Sequence, residues 1–217
     1  MKKVVFYMAL SLSYQLFATQ NITLKDVTVT AQKSEEKLRK VPISITAFDE
    51  SDIEDKQISN LDDIVKFTPN LLLYNTGQQG LTWPSVRGIS ANISPLSTPV
   101  ALYVDGIAYM NSFGYGDELE DIERIEILRG PQGSLYGANS QSGVINVISK
   151  KPDNETRAKA TAKIGNKGRL DIGANVAGAI VKDVFYIGVS TKHTQKDGFI
   201  KDAHSGNITN DKKSDYA

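Results

Sequence analysis

The chain has 217 residues, with 25 basic and 25 acidic side chains and no cysteine. The lack of cysteine excludes disulfides and any cysteine-ligated metal site, and the balanced charge argues against a general nucleic-acid binder. Hydrophobic residues make up 40% of the chain, which is typical of a folded protein. Beyond the N-terminus there is no apolar run of about 18 residues, so we expect no membrane-spanning helix.

The first 18 residues have the features of a secretory signal peptide. Lys2 and Lys3 form a basic start, the apolar stretch Val4–Phe17 follows, and Ala18 is a suitable small residue at the cleavage site. We therefore predict that residues 1–18 are removed on export. A buried N-terminal helix is the alternative interpretation.

Residues 42–73 predict a strand followed by two short helices and a second strand. Ser51 and Glu54 have the spacing of a capping box for a helix near 52–58. Asn60 is expected to open the second helix, and Pro69 to end it. The apolar residues that this second helix should bury are Leu61, Ile64, Val65 and Phe67.

The most distinctive pattern lies between residues 119 and 150. The alternating strand Ile122–Leu128 stops at Arg129-Gly130-Pro131, a loop of small residues follows, and Gly143–Ser149 forms a second strand. A tight corner in any mixed sheet would fit this spacing. The loop glycines match neither GxGxxG nor GxxxxGK[ST], and no helix pattern opens after them, so a phosphate site is not favoured.

Toward the C-terminus the pattern changes to longer alternation. Segments near 158–164, 170–176 and 185–190 alternate apolar with polar residues, with a short turn predicted at 182–183 and a long loop at 195–215. This dyad pattern is typical of outer-membrane strands. A soluble sheet with one hydrated face would also produce it.

Several of these segments together resemble a known family. RGPQGSLYG at 129–137, followed by GVINVISKKP at 143–152, resembles the plug-domain signature of TonB-dependent outer-membrane receptors. The phrases VPISITAF, LDDIVKFTPNL and VALYVDGIAY are similar to other parts of the same plug. This family takes up iron–siderophore complexes, haem, cobalamin and some sugars. Its usual glycine pair before the last strand is here Ser142-Gly143.

The resemblance implies an α+β plug domain, a mixed β-sheet with short helices, followed by the first antiparallel strands of an incomplete transmembrane β-barrel. The expected regions are a signal peptide at 1–18, a TonB box and linker at 19–40, a plug domain at 41–152, and about three barrel strands at 153–217. A plugged transporter barrel needs about 22 strands. We therefore expect an N-terminal fragment or truncated form of a receptor.

The segment just after the predicted signal peptide is short, β-prone and followed by charged residues. Its form DVTVTA resembles the TonB box, which in the family pairs with the periplasmic energy coupler TonB. The expected contact residues are Asp26, Val27, Thr28, Val29, Thr30 and Ala31. An edge strand of this kind would bind by β-augmentation. The alternative is that it forms the first strand of the domain sheet.

Two loops, 74–83 and 109–116, combine aromatic with polar residues. In the family, plug loops of this kind form the floor of the external ligand site, and Tyr, Trp and Asn suit contact with a bulky polar ligand. The expected ligand residues are Tyr74, Gln78, Gln79, Trp83, Tyr109, Asn111, Phe113 and Tyr115. Ordinary solvated loops are the alternative.

Arg87 and Arg129 each occupy an Arg-Gly step at a strand end. In the family such arginines can dock against barrel-wall carboxylates and lock the plug, because an arginine–carboxylate pair is geometrically specific. Two surface arginines would explain the same pattern.

No catalytic centre can be assembled from the sequence. His193 and His204 have no partner at metal-ligand spacing, so we expect no enzyme activity, no metal site and no cofactor. The resemblance implies energised uptake of a bulky ligand, most commonly a ferric siderophore, by an outer-membrane receptor that contacts TonB and outer-membrane lipid. A periplasmic plug-like binding module and a non-functional truncation product are the alternatives.

Overall fold

The computed structural model describes most of the chain from residue 27 onward. The described residues are 27–30, 33–34, 36–75, 81–90, 97–109, 115, 119–198, 200–209 and 211–216. The predicted signal peptide lies outside this set, so its removal stays a prediction. Among the described residues, no helix is both long and apolar enough to cross a membrane.

Short strands and helices make up an N-terminal unit that ends at Ser149. Its strands are β1 (Thr28–Val29), β2 (Glu36–Lys37), β3 (Ile45–Asp49), β4 (Leu71–Asn75), β5 (Thr82–Val86), β6 (Ile89–Ser90), β7 (Val100–Val104), β8 (Ile107–Tyr109), β9 (Ile122–Arg129) and β10 (Gly143–Ser149). Its α-helices are α1 (Glu50–Asp55), α2 (Leu61–Ile64) and α3 (Gly133–Tyr136), and single 3₁₀ turns cover Leu38–Lys40 and Val65–Phe67.

A five-stranded mixed sheet in the order β3-β9-β10-β7-β8 forms the centre of this unit. Strand β10 runs antiparallel to β9 and parallel to β7. The mixed sheet with short helices is the architecture that the sequence predicted. Two smaller sheets, β1-β2 and β4-β5-β6, lie beside it.

The central sheet is buried on both faces because its strands alternate between two apolar clusters. On one face, Ile125, Ile127 and Ile145 pack against the region of α1 and α2, including Leu61 and Ile64. On the other face, a second cluster covers the sheet with residues from the N-terminal segment. Its buried members are Val29, Ala101, Leu128, Tyr136 and Val144. The start of the described chain therefore belongs to the packed unit.

The helix boundaries correct two details of the sequence prediction. Helix α1 begins at Glu50 rather than near 52, because the Asp49 carboxylate accepts the Asp52 amide at 2.9 Å and caps the helix in place of Ser51. Asn60 caps α2 as expected, by accepting from the Asp63 amide. Phe67 is 40% exposed rather than buried, and packs edge-on against Phe48.

The glycine-rich segment after β9 also contains more structure than predicted. A single helical turn, α3, follows Gln132 where the sequence indicated only a loop. Gly130 and Gly137 have positive φ angles of +128° and +69°, which explains their residue type. The loop is fixed by Gln132, whose amide donates to the Ser140 carbonyl at 2.9 Å.

The Asp105-Gly106 hairpin is confirmed. It joins β7 to β8 by a two-residue turn in which both residues have positive φ, +49° and +81°. This is the geometry of a type I′ turn, for which Asp-Gly is a preferred sequence. The Asp105 carboxylate also accepts from the Ser149 amide at 2.8 Å and so ties the turn to the end of β10.

A second sheet follows the N-terminal unit, and we call it the wall. Its strands are β11 (Arg157–Gly165), β12 (Arg169–Val181), β13 (Phe185–Lys196) and β16 (Lys212–Tyr216), in that antiparallel order. The predicted alternation is confirmed on β12, where Asp171 and Gly173 are buried and Ile172 and Val176 are exposed. Apolar side chains thus point away from the N-terminal unit, as expected for strands that face lipid.

The wall differs from the prediction near its C-terminal end. The expected long loop at 195–215 contains a small hairpin, β14 (Ile200–Lys201) with β15 (Ile208–Thr209), and the fourth wall strand β16. The sequence KKSDY has no apolar alternation, so pattern analysis missed it. Pairing with the end of β13, from Lys192↔Tyr216 to Lys196↔Lys212, holds this strand.

Candidate functional site

The predicted coupling segment is packed against the N-terminal unit. Strand β1 pairs antiparallel with β2 through Thr28↔Lys37 and Val29↔Glu36, and not with the central sheet. Val29 is fully buried, whereas Thr28 is exposed. Asp26 and Ala31 lie outside the described residues, so the structure places only the middle of the segment.

A buried carboxylate holds the end of this segment. The Thr30 amide donates to Glu126 Oε1 at 2.7 Å, and the Thr30 hydroxyl donates to the same oxygen at 3.1 Å. Arg124 Nε donates to Oε1 at 2.9 Å, and Asn146 Nδ2 donates to Oε2 at 3.3 Å. Glu126 is fully buried on β9, so these donors compensate a charge that would otherwise be costly to bury.

Two tyrosines continue this contact. The Tyr103 hydroxyl donates to the Tyr136 carbonyl at 2.6 Å, and the two rings meet edge-on. The Lys33 ammonium lies 4.9 Å and 4.6 Å from the two ring centroids, which is cation–π geometry. Burial, followed by the nearby Glu126 charge, raises the pKa of Tyr136 to about 12. The phenol therefore stays neutral at physiological pH.

The register of the central sheet gives the N-terminal unit two distinct ends. Gly143 pairs with both Arg129 and Val100, so these residues mark one end, which we call the Arg129 end. The opposite end carries the Asp105 turn and Ser149, from which the chain continues to the wall.

Three predicted ligand residues lie on strands β4, β5 and β8. Tyr74 and Trp83 are directly opposite each other on β4 and β5, and β4 begins where the Pro69 carbonyl accepts from Arg129 Nη1 at 3.3 Å. Tyr74 is 51% exposed, and the buried indole N–H of Trp83 has no hydrogen-bond partner among the described residues. Tyr109 pairs with the third residue of β7 and is 37% exposed.

Tyr115 is placed differently from the prediction. The sequence assigned it to a ligand-contacting loop, but its side chain is fully buried in the main core. Its hydroxyl donates to the Val100 carbonyl and lies 3.2 Å from Thr98 Oγ1, and burial raises the pKa of the phenol. Tyr115 is therefore a core residue in this structure. The remaining predicted ligand residues, Gln78, Gln79, Asn111 and Phe113, lie outside the described residues.

Arg87 and Arg129 lie near each other at the Arg129 end. Arg87 occupies a tight turn with φ +54°, and a Cβ placed on Gly130 would lie 3.7 Å from Arg87 Nη1. No ion pair to either guanidinium is found within the described part of the chain. Arg129 Nε is also buried without a described partner. The predicted locking role stays a prediction.

The wall and the N-terminal unit meet through ion pairs that sequence analysis missed. Lys192 on β13 lies 2.9 Å from Glu120, and both side chains are mostly buried. Lys159 on β11 pairs with Glu54 on α1, and Lys163 Nζ donates to Ser59 Oγ at 3.0 Å. We call this set the lysine seam.

The lysine seam has the opposite polarity to the predicted lock. The prediction placed arginines on the plug and carboxylates on the wall, whereas here carboxylates of the N-terminal unit meet lysines of the wall. The register explains the seam, because Thr161 and Lys163 on β11 pair with Gly173 and Asp171 on the plug-facing row of β12. The lysines at alternate positions of the first wall segment were the sequence feature from which the seam could have been predicted.

A cavity of about 370 Å³ lies beside this seam, between α1, residues 119–122 and the wall. Carboxylates and lysines of the seam line it together with small wall residues. A Cβ on Gly173 at its edge would lie 2.8 Å from Thr161 Oγ1 and 3.3 Å from Glu120 Oε1, so these side chains would have to shift.

Metal-binding geometry is not found in the described residues, where no three His, Cys, Asp or Glu side chains cluster. His193 instead contacts Asp215 across β13 and β16, with 2.6 Å between Nδ1 and Oδ1. His204 lies in the β14–β15 hairpin, where its amide donates to Asp202. Neither histidine contributes to the sites described above.

Comparison with known proteins agrees with this geometry. Residues 37–144 match the family model of the TonB-dependent receptor plug domain. The chain belongs to the TonB-dependent receptor family. This confirms the resemblance noted in the sequence, and the N-terminal unit is its plug. The pesticin receptor of Yersinia enterocolitica is 28% identical over 156 residues, which are 72% of this chain and 23% of that protein.

Two further relatives extend the match into the wall. The vitamin B12 transporter BtuB of Photobacterium profundum is 28% identical over 188 residues, 83% of this chain and 30% of that protein. The crystal structure of the ferric yersiniabactin uptake receptor FyuA from Yersinia pestis aligns with a TM-score of 0.70 and 27% identity, covering 78% of this chain and 26% of that one. These relatives are receptors and transporters, not enzymes, and the chain spans about a quarter of their length.

Proposed function

We propose that this chain supplies the plug and the first wall strands of an outer-membrane receptor for energised uptake of a ferric siderophore. The observation that carries the proposal is the likeness to the ferric yersiniabactin uptake receptor, which extends over both the plug and the wall. The relative that transports vitamin B12 supplies the alternative ligand class. The proposed regions remain a signal peptide at 1–18, the TonB box and linker at 19–40, the plug at 41–152 and the start of the barrel at 153–217.

The ligand is proposed to bind at the plug loops that carry Tyr74, Trp83 and Tyr109. Tyr74 and Trp83 form a cross-strand pair in which Tyr74 is half exposed and the Trp83 indole N–H is buried, and Tyr109 is partly exposed on β8. Aromatic side chains supply large contact areas at low conformational cost, which suits a bulky chelate. Gln78, Gln79, Asn111 and Phe113 are proposed to complete the contact.

Residues 26–31 are proposed to contact TonB in the periplasm. The packing of Val29 and the hydrogen bonds of Thr30 hold this segment against the plug, so TonB would bind it after it has been released. Pairing would occur by β-augmentation. Arg87 and Arg129 are proposed to meet carboxylates of the wider barrel, since they cluster without an ion-pair partner among the described residues.

Transport of labelled ligand tests this function directly. Cells that lack their own uptake systems would express a full-length version with a completed barrel and receive radioactive iron as ferric yersiniabactin, or radioactive vitamin B12. We expect TonB-dependent accumulation of iron and none of the vitamin. Accumulation of the vitamin alone would reassign the ligand class. Absence of both, from cells that display the protein in the outer membrane, would contradict the proposal for these ligands.

A further inference from the structure

The buried carboxylate of Glu126 joins three separate parts of the chain by hydrogen bonds. Its carboxylate accepts hydrogen bonds from Thr30 in the N-terminal segment, from Arg124 on its own strand and from Asn146 on β10. It is fully buried, and Thr30 is 96 residues away in sequence. The N-terminal segment therefore meets the centre of the plug sheet at this carboxylate.

These bonds occupy the groups that a pairing strand would need. Strand β1 already uses one edge for β2, and the Val27 carbonyl accepts the Leu38 amide at 2.9 Å. The Thr30 amide, which continues this short strand, is directed at Glu126. A partner that adds a strand to this segment needs its main-chain groups, so it must compete with β2 on one edge or with Glu126 on the other.

Release of Thr30 would not leave the buried charge of Glu126 uncompensated. If Thr30 leaves, Arg124 Nε remains 2.9 Å from Glu126 Oε1, and Asn146 still donates to Oε2. Removing one partner of a buried charge is strongly destabilising only when the charge is left uncompensated. The arrangement therefore suits a contact that breaks and re-forms while the sheet stays intact.

We propose that Glu126 is a latch that holds residues 27–30 on the plug and limits their exposure to the periplasmic partner. The latch consists of Glu126, Thr30, Arg124 and Asn146. It rests on the proposed function only in its last step, in which the released segment is the strand that TonB binds. The holding contact itself is a property of this chain and can be measured without TonB.

The chain contains no cysteine, so a single Val29→Cys change provides a clean probe. Val29 is fully buried in the latched segment, and a thiol introduced at this position reacts with a water-soluble maleimide only when the segment lifts. The experiment would measure the labelling rate of this thiol in detergent-solubilised protein. Hydrogen exchange of the β9 and β10 amides, measured in parallel, reports whether the sheet itself is intact.

Glu126→Gln, made in the Val29→Cys background, is the informative variant. Every described polar neighbour of the carboxylate donates a hydrogen bond to it. The NH2 group of a glutamine is also a donor, so it would face some of these donors and their hydrogen bonds would be lost. We expect the labelling rate of the introduced thiol to rise about tenfold, the effect of losing one or two buried hydrogen bonds. Protection of the β9 and β10 amides should remain unchanged.

Glu123→Gln in the same background is the matched control. Glu123 also pairs with Arg124, but it is largely exposed and has no contact with Thr30 among the hydrogen bonds described. The labelling rate in this variant should equal that of the Val29→Cys protein alone. Thr30→Val offers a milder test, because it removes the hydroxyl but keeps the amide, and it should raise labelling by a smaller factor.

The outcomes separate the latch from a purely structural role. An unchanged labelling rate in both Glu126→Gln and Thr30→Val would overturn the latch. So would equal increases in Glu126→Gln and Glu123→Gln, or a loss of β9 and β10 protection in the Thr30→Val protein. Faster labelling, with no capture of purified TonB periplasmic domain by any form, would support the latch and count against the proposed coupling role.

Discussion

Lys192 on the wall forms a 2.9 Å ion pair with Glu120 of the plug, with side-chain exposures of 8% and 15%. The same ammonium donates to the Leu119 carbonyl at 3.4 Å. A buried pair of this kind is costly to break from one side, because the remaining charge loses its counter-ion in a poorly solvated place. Substitution in this pair should therefore lower the stability of the protein more than substitution elsewhere in the lysine seam.

We predict that Glu120→Gln lowers the free energy of unfolding by about 3 kcal/mol, the lower end of the cost of breaking a buried pair, because Lys192 keeps a carbonyl acceptor. Glu54→Gln is the matched control. Its pair with Lys159 is about half exposed on both sides, so solvent screening should make the loss of stability much smaller than in Glu120→Gln. Denaturant unfolding in detergent measures both, and equal losses would contradict the burial argument.

Acid should weaken the second plug helix through Asp63. Burial opposes ionisation of Asp63, but hydrogen bonds from Lys66 and from the Ser59 amide outweigh it and hold the pKa below its ordinary value of 3.8. A lowered folded-state pKa stabilises the protein above pH 3.8, and this stabilisation is lost as pH falls through the folded value. Asp63→Asn should remove this part of the pH dependence.

Asp62→Asn is the control for that experiment, since Asp62 lies in the same first turn of α2 but is exposed. Thermal unfolding would be recorded for both variants from about pH 5 to about pH 2. The Asp63→Asn curve should be flatter than that of the parent protein below about pH 4. A curve for Asp63→Asn that parallels the parent over this range would count against the assignment.

If ferric yersiniabactin is the ligand, as proposed, Trp83→Ala should weaken its binding by about thirtyfold, the cost of losing an aromatic hot spot. Tyr115→Phe serves as the control from the same predicted set. Its hydroxyl bonds to the core carbonyl of Val100, so it should lower stability by about 1 kcal/mol and leave binding unchanged. Equilibrium binding to intact cells would be measured for both variants. Loss of binding in the Tyr115 variant alone would make Tyr115 the ligand contact and Trp83 the structural residue.

Features set by local chemistry could be predicted from the sequence. Asp105-Gly106 specifies its turn because both positions need positive φ, and Asn60 caps its helix because its side chain accepts from Asp63. The alternation on β12 predicted which wall residues face outward. Each of these depends on neighbours only a few residues away.

Features that depend on contacts between distant parts of the chain could not be predicted from the sequence. Glu126 in an alternating strand predicts a solvated carboxylate, and only the fold brings Thr30 to it. Tyr115 was assigned to a ligand loop because its neighbours are polar, whereas the backbone returns it to the core beside Val100. The lysine seam depends on how β11 and β13 are placed against the plug, which sequence alone does not give.

The coupling segment offers the most direct test of the whole account. Val27→Pro removes an N–H donor and fixes φ, which should prevent strand pairing with TonB while keeping the Val27 carbonyl that accepts from Leu38. Thr28→Ala is the control, since it leaves the main chain intact at an exposed position. Val29→Pro is less clean, because Val29 is fully buried.

The deciding measurement is iron accumulation from ferric yersiniabactin, compared with binding of the same complex to de-energised cells. We expect cells with the Val27→Pro variant to bind the complex normally but to accumulate no more iron than cells lacking TonB, whereas cells with Thr28→Ala should accumulate it almost normally. Normal accumulation by Val27→Pro would contradict the account and reduce the segment to a linker. Loss of binding would likewise contradict it, because the segment would then be needed for the fold of the plug.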